Sequence, residues 1–142
     1  MTASADIAGY ARQQISARLG RLAFEAHRTA RSMDVEAVHD LRVAIRRFSQ
    51  SLLVFRSLLP KRSVKRVRKR LKRIRDVAGR VRDLDIALAL VTSQGLDPAG
   101  PIASRLAAAR KQAEPALAEE LRRFAGSNLS EKWRVALGLD QP

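Results

Sequence analysis

Two rows of basic side chains recur at helical spacing in the middle of the chain. The first row is His39, Arg42 and Arg46; the second is Lys65, Arg68, Lys72, Arg75 and Arg82, with Gly79 in the same series. Steps of three and four residues place each row on one side of an α-helix. Guanidinium groups bind phosphate oxygens through two parallel hydrogen bonds, and ammonium groups add point charge. The rows therefore predict a site for a phosphate-rich anion.

The positive charge of the chain is concentrated in the segment that carries these rows. Residues 39–82 hold 16 Lys and Arg against Asp40 and Asp76, so these 44 residues carry +14, which equals the net charge of the whole chain. Like charges gathered this way oppose folding, but their combined field attracts polyanions. A basic helix face is often only a solvated surface. Here 9 of the 13 residues 61–73 are basic and none is acidic, so ion pairs within that stretch cannot explain them.

Residues that could support catalysis or hold a metal ion are scarce. The chain has no Cys and two His, and it shows no Gly-rich phosphate loop, metal-carboxylate cluster or activated nucleophile. Asp83 and Asp85 could be catalytic carboxylates, but we expect them instead to orient neighbouring guanidinium groups. We predict a protein that is not an enzyme and needs no cofactor or metal. A metal-independent phosphohydrolase is the weaker alternative.

The elements that must position the two rows are helices. Apolar residues recur every three or four positions along nearly the whole chain, most regularly in the second helix. The predicted helices run from about Ala5 to Arg31, from the N-cap Asp34 to a point before Pro60, from near Ser63 to about Val91, over Ile102 to Phe124, and briefly from a cap at Ser130. This pattern predicts an all-α fold: an antiparallel up-and-down four-helix bundle with a short extra C-terminal helix, forming one domain over residues 1–142.

Details of this bundle follow from single residues. We expect Ile7, Ile102 and Leu106 to contribute to the core, Gly79 to kink the third helix, and Pro115 to bend or interrupt the fourth. If the second and third helices are antiparallel neighbours, the two basic rows border one groove. In that groove His39 and Arg42 lie nearest Arg75 and Arg82, and Arg46 lies nearer Lys72. Gly79 lets the ligand approach the backbone closely, and Gln50 points away from the groove.

Two sequence motifs carry a family resemblance. His39 begins the segment HDLRVAIRR, and Gly79 begins GRVRDLDI. The combination of H-x-x-R-V-x-x-R-R with a downstream R-D-x-D-[VI] resembles the CHAD family, the conserved-histidine α-helical domains, over about residues 34–91. The resemblance implies a helical bundle, often bacterial, whose basic surface binds inorganic polyphosphate without catalysis.

The chain departs from the family pattern in two places. The family usually has two pseudo-symmetric four-helix halves, whereas this chain carries one set of motifs and resembles a short, single-repeat member. A homodimer would restore the two-repeat arrangement. Where the family motif commonly continues with a further Arg, this chain has Ser49, so one cation of the row is replaced.

Location and competing ligands complete the expectations. No apolar stretch reaches the roughly 20 residues that span a bilayer, and the first ten residues lack a secretory-signal pattern. We expect a cytoplasmic protein, associated with polyphosphate granules and not with a membrane.

Nonspecific nucleic-acid binding is the main alternative, since charge alone would allow it. The predicted groove, however, offers no aromatic residue for stacking on bases.

Overall fold

The computed structural model describes residues 3–141. Five α-helices and one short 3₁₀ helix make up this part of the chain, and it contains no β-strand: α1 Ala3–Ser32, α2 Val35–Val54, the 3₁₀ helix Arg56–Leu58, α3 Lys61–Ser93, α4 Pro101–Gly126 and α5 Leu129–Ala136. The predicted all-α class is confirmed. The four long helices also occupy the predicted stretches of sequence, with ends that differ by a few residues.

The start of α2 matters most for the site, because it sets the register of the first basic row. Asp34 is the N-cap, as predicted, and its Oδ1 accepts a hydrogen bond of 2.8 Å from the backbone N–H of Ala37. The Ser32 hydroxyl donates to Oδ2 at 2.6 Å. These two bonds, led by the one from Ser32, hold the pKa of Asp34 below its usual value.

The interruption of α4 that was predicted as one outcome at Pro115 does not occur. α3 runs as one helix of 33 residues through Gly79, and α4 runs as one helix of 26 residues through Pro115. The caps of two helices also differ from the prediction. Pro60 precedes α3, which begins before Ser63, and Asn128, with a φ of 51°, precedes α5 instead of Ser130. Tertiary packing holds a helix together past a residue that weakens it locally.

The core lies where the apolar stripes of the helices meet. α2 packs against α1 and α3, α4 packs against α3 and α1, and α5 contacts α1, α3 and α4. Phe48 of α2 is fully buried and stacks on Trp133 of α5 with ring centroids 5.9 Å apart, and Trp133 meets the ring of Phe124 edge-on. Ile7 and Ile102, predicted in the core, are instead 52% and 55% exposed.

Ion pairs between helices relate distant parts of the chain. Arg28, near the end of α1, places Nη1 2.7 Å from Oδ2 of Asp40, near the start of α2. Arg70 of α3 lies 3.1 Å from Oε2 of Glu120 in α4. No helix among the described residues is long and apolar enough to cross a membrane.

Candidate functional site: the cleft between α2 and α3

All eight predicted basic site residues line two adjoining cavities between α2 and α3. The first cavity has a volume of about 440 Å³, and its walls include His39, Arg42, Arg46, Arg68, Arg75 and Arg82. The second, of about 340 Å³, shares Arg68 and Arg75 with the first and adds Lys65 and Lys72. We call the two cavities together the α2–α3 cleft. The structure thus brings the two rows together along one surface feature.

Most of the cations in the cleft have no partner in the part of the chain that the structure describes. Six of the eight side chains make no ion pair or side-chain hydrogen bond with any other described residue: His39, Arg42, Arg46, Lys65, Arg68 and Arg82. The other two share one exposed acid, since Asp76 lies 3.7 Å from Nζ of Lys72 and 3.9 Å from Nε of Arg75. Contacts this long between exposed groups contribute little. The described residues therefore leave most of the charge of the cleft unneutralised.

Gly79 makes room for the side chain of Arg42, and the close approach of a ligand at this residue stays a prediction. Gly79 is buried, and a Cβ atom at this position would clash with Nη1 of Arg42 and lie 3.5 Å from its Cζ. The guanidinium group of Arg42 therefore occupies the space that the missing side chain leaves. Packing against the α3 backbone restricts where this cation can point.

Asp85 binds a guanidinium group, but it is that of Arg110 in α4 and not one of the cations of the cleft. The Asp85 carboxylate is almost fully buried and accepts two hydrogen bonds from Arg110 of α4, of 2.9 Å from Nε and 3.2 Å from Nη2. The bond to Asp85 is the main reason why the pKa of Arg110 is raised. Asp83 is exposed and makes no side-chain contact of this kind within residues 3–141. The sequence did hold a signal: Asp85 continues the buried series of α3 four residues after Val81.

Several further residues on the cleft walls were not predicted. Gln50 was expected to point away, but it lines the first cavity, as do the half-exposed side chains of Leu53 and Ile86. Ser49, which stands where the family motif has a cation, lines both cavities. Gln50 and Ser49 can donate hydrogen bonds to anionic oxygens without adding charge.

The described residues contain no cluster of three or more His, Cys, Asp or Glu side chains that could hold a metal ion. The chemistry that the cleft offers is therefore that of Arg, Lys and His donors. Such a set binds oxyanions through charge-assisted hydrogen bonds. It can satisfy several anionic groups in a row, because its members repeat along two helices.

Comparison with known proteins places the chain in a family. The sequence profile of the CHAD domain matches residues 13–142, which is nearly the whole chain and more than the stretch of motifs first recognised. Neither the curated proteins nor the solved structures give a match. Because the profile covers most of the chain, including all the residues of the α2–α3 cleft, the protein belongs to the CHAD domain family.

Proposed function

We propose that this protein binds inorganic polyphosphate without chemically changing it, and that the α2–α3 cleft is the binding site. The observation that carries the proposal is the set of six cationic or imidazole side chains in one cleft that have no partner within residues 3–141. Leaving like charges unpaired and close together opposes folding. A bound polyanion would remove that repulsion, and membership of the CHAD domain family supports this choice of polyanion.

Each type of side chain would contribute differently. Arg42, Arg46, Arg68, Arg75 and Arg82 would bind phosphate oxygens with paired N–H donors, and Lys65 and Lys72 would add point charge. His39 would donate a hydrogen bond from its ring. Since polyphosphate repeats one anionic unit, the cleft needs no fixed starting point along the chain. We expect the affinity to depend on the charge and the length of the polyphosphate chain, and not on any order of units within it.

The surrounding architecture forms part of the proposal. We infer an antiparallel up-and-down four-helix bundle, in one domain over residues 1–142. Two ion pairs support it, Arg28–Asp40 and Arg70–Glu120. The first joins the end of α1 to the start of α2, and the second joins the first half of α3 to the end of α4, as antiparallel neighbours require. We also propose that two copies associate, so that a second cleft extends the first, and that the protein acts in the cytoplasm at polyphosphate granules.

A competition titration tests the binding site. Long-chain polyphosphate, duplex DNA and single-stranded DNA would compete at matched phosphate concentration and at several salt concentrations. The variant Arg42→Ala/Arg46→Ala removes two cations of the cleft. Arg31→Ala/Arg105→Ala is the matched control, because both arginines are exposed and neither lines the cleft.

The outcomes separate a shaped site from a general polycation. We expect wild-type protein to prefer polyphosphate, and we expect the cleft variant, but not the control, to lose that preference. Equal loss in both variants would mean that only net charge matters. Sedimentation velocity with and without polyphosphate tests the proposed association of two copies.

Nucleic-acid binding is the second candidate, and Gln50 is the observation that favours it. An amide on the wall of the cleft could contact base edges, since Gln pairs with adenine. Tighter binding of DNA than of polyphosphate, reversed by Gln50→Ala, would support this alternative over the main proposal.

The proposed absence of catalysis has its own test. Protein incubated with Mg²⁺ and polyphosphate should release no orthophosphate above a protein-free control. Release that the Arg42→Ala/Arg46→Ala variant abolishes would show that the cleft catalyses hydrolysis.

A further inference from the structure

A separate cavity, outside the α2–α3 cleft, lies between α1 and α2, and its wall carries charges of both signs. Its volume is about 460 Å³, within the range typical of small-molecule sites. Arg18, Arg21 and Arg47 line it together with Glu25 and Asp40. We call it the α1–α2 cavity. Its mixed charge distinguishes it from the α2–α3 cleft, whose lining residues include no carboxylate.

Glu25 is the unusual member of this cavity. It is only 1% exposed, and its Oε1 has no hydrogen-bond partner among the described residues. The nearest cation, Nη2 of Arg21, is 3.7 Å away on a largely exposed side chain. The other oxygen, Oε2, is 3.5 Å from Nη1 of Arg28, which binds Asp40 more closely at 2.7 Å. A buried carboxylate oxygen without a hydrogen bond is costly, and a ligand with an N–H donor would remove that cost.

The charges around the cavity restrict what that ligand can be. A simple anion would meet Arg18 and Arg47 favourably but would be repelled by the carboxylates of Glu25 and Asp40. A simple cation would be repelled by the guanidinium groups. A molecule that carries both charges, a few atoms apart, complements both parts of the wall.

We propose that the α1–α2 cavity binds a small zwitterion that carries an ammonium group and a phosphate group. The ammonium group donates a hydrogen bond to Oε1 of Glu25. The phosphate group accepts hydrogen bonds from Arg18 and Arg47. This site is separate from the proposed polyphosphate site, although His39 and Val43 contribute to the walls of both.

Isothermal titration calorimetry with three probes tests this inference. O-phosphoethanolamine carries both groups, ethanolamine carries only the ammonium group, and inorganic phosphate carries only the anion. We expect O-phosphoethanolamine to bind at least roughly tenfold more tightly than either of the others, because a hydrogen bond between charged groups contributes about that factor. Equal binding of inorganic phosphate, or no binding of any probe, would overturn the proposal.

Variants locate the site and separate it from the α2–α3 cleft. Glu25→Gln and Arg18→Ala should each weaken O-phosphoethanolamine binding by about tenfold, while both retain polyphosphate binding. Arg68→Ala, in the cleft, is the control and should leave O-phosphoethanolamine binding unchanged. Two substitutions on different turns of α1 keep the test decisive if one of them disturbs folding, which circular dichroism would show. Unchanged binding in a folded variant would place the probe elsewhere and refute the assignment.

Discussion

Gly79→Ala should weaken polyphosphate binding while leaving the fold intact or more stable. The added Cβ would overlap Nη1 of Arg42, so the guanidinium group must leave its place against α3. The atom displaced is the far end of a flexible side chain, so moving it is cheap. Replacing Gly by Ala inside a helix contributes about 0.5–1 kcal/mol of stability. We therefore expect a free energy of unfolding equal to that of the wild type or higher by up to about 1 kcal/mol.

The loss in binding follows from the role of Arg42. A hydrogen bond to a charged group contributes about 1.5–3 kcal/mol, which corresponds to roughly ten- to hundredfold in affinity. Because Arg42 can still reach the ligand from another rotamer, we expect the lower end, roughly tenfold. The affinity would be measured by fluorescence titration with long-chain polyphosphate at fixed salt, and the stability by urea denaturation.

A double-mutant cycle shows whether Gly79 acts through Arg42. In an Arg42→Ala background, Gly79→Ala should have almost no further effect on affinity, because the side chain it displaces is absent. If Gly79→Ala weakens binding by the same factor in both backgrounds, the residue instead lets the ligand approach the backbone. That result would refute our interpretation and restore the one suggested by sequence. Unfolding of Gly79→Ala would show that the space around Arg42 is rigid.

Three further predictions concern stability. Phe48→Ala should lower the free energy of unfolding by about 3–5 kcal/mol in urea denaturation, because it removes a fully buried ring that stacks on Trp133. Arg110→Ala should lower it by about 3–5 kcal/mol, because it leaves the Asp85 carboxylate buried without its partner, and polyphosphate affinity of the folded variant should not change. In Asp34→Asn, the free energy of unfolding should fall less steeply on acidification than in the wild type. The pKa of Asp34 is lowered in the folded state, so the stability that this carboxylate contributes is present above its unfolded pKa and is lost as pH falls through its folded pKa.

Each of these predictions has a contrary outcome. A small effect of Phe48→Ala would mean that α5 repacks over the space. If Arg110→Ala is as stable as the wild type, the Asp85 carboxylate must become hydrated or protonated at little cost in free energy. If the stability of Asp34→Asn depends on acidic pH as that of the wild type does, other carboxylates cause the dependence. Asp34→Ala is the control, because it removes the N-cap side chain at every pH.

The register of the two basic rows could be predicted because it depends only on local geometry. Once α2 begins at the Asp34 cap, the rise and rotation of an α-helix determine which side chains share a flank. The same reasoning placed Phe48 in the core and identified the basic segment. It failed at Ile7 and Ile102, because the periodicity of one helix does not show which of its side chains a neighbouring helix covers.

Relations between helices were harder to predict. The pairing of Asp85 with Arg110 depends on how α4 lies against α3, which the spacing of residues within α3 does not contain. The α1–α2 cavity was not predicted for the same reason, since Glu25 and Arg47 belong to different helices and only their packing brings them to one wall.

The amino-acid sequence is sufficient for the helices, their apolar faces and the concentration of charge, because each follows from contacts within a few turns. Only the folded chain shows that Gly79 makes room for Arg42, that Arg110 neutralises Asp85, and that an oxygen of Glu25 is buried without a hydrogen bond. These features depend on the positions of atoms from separate helices to within about an ångström, the scale on which hydrogen bonds and steric contacts form or fail. Close packing of the whole molecule determines positions on that scale, and no local pattern does.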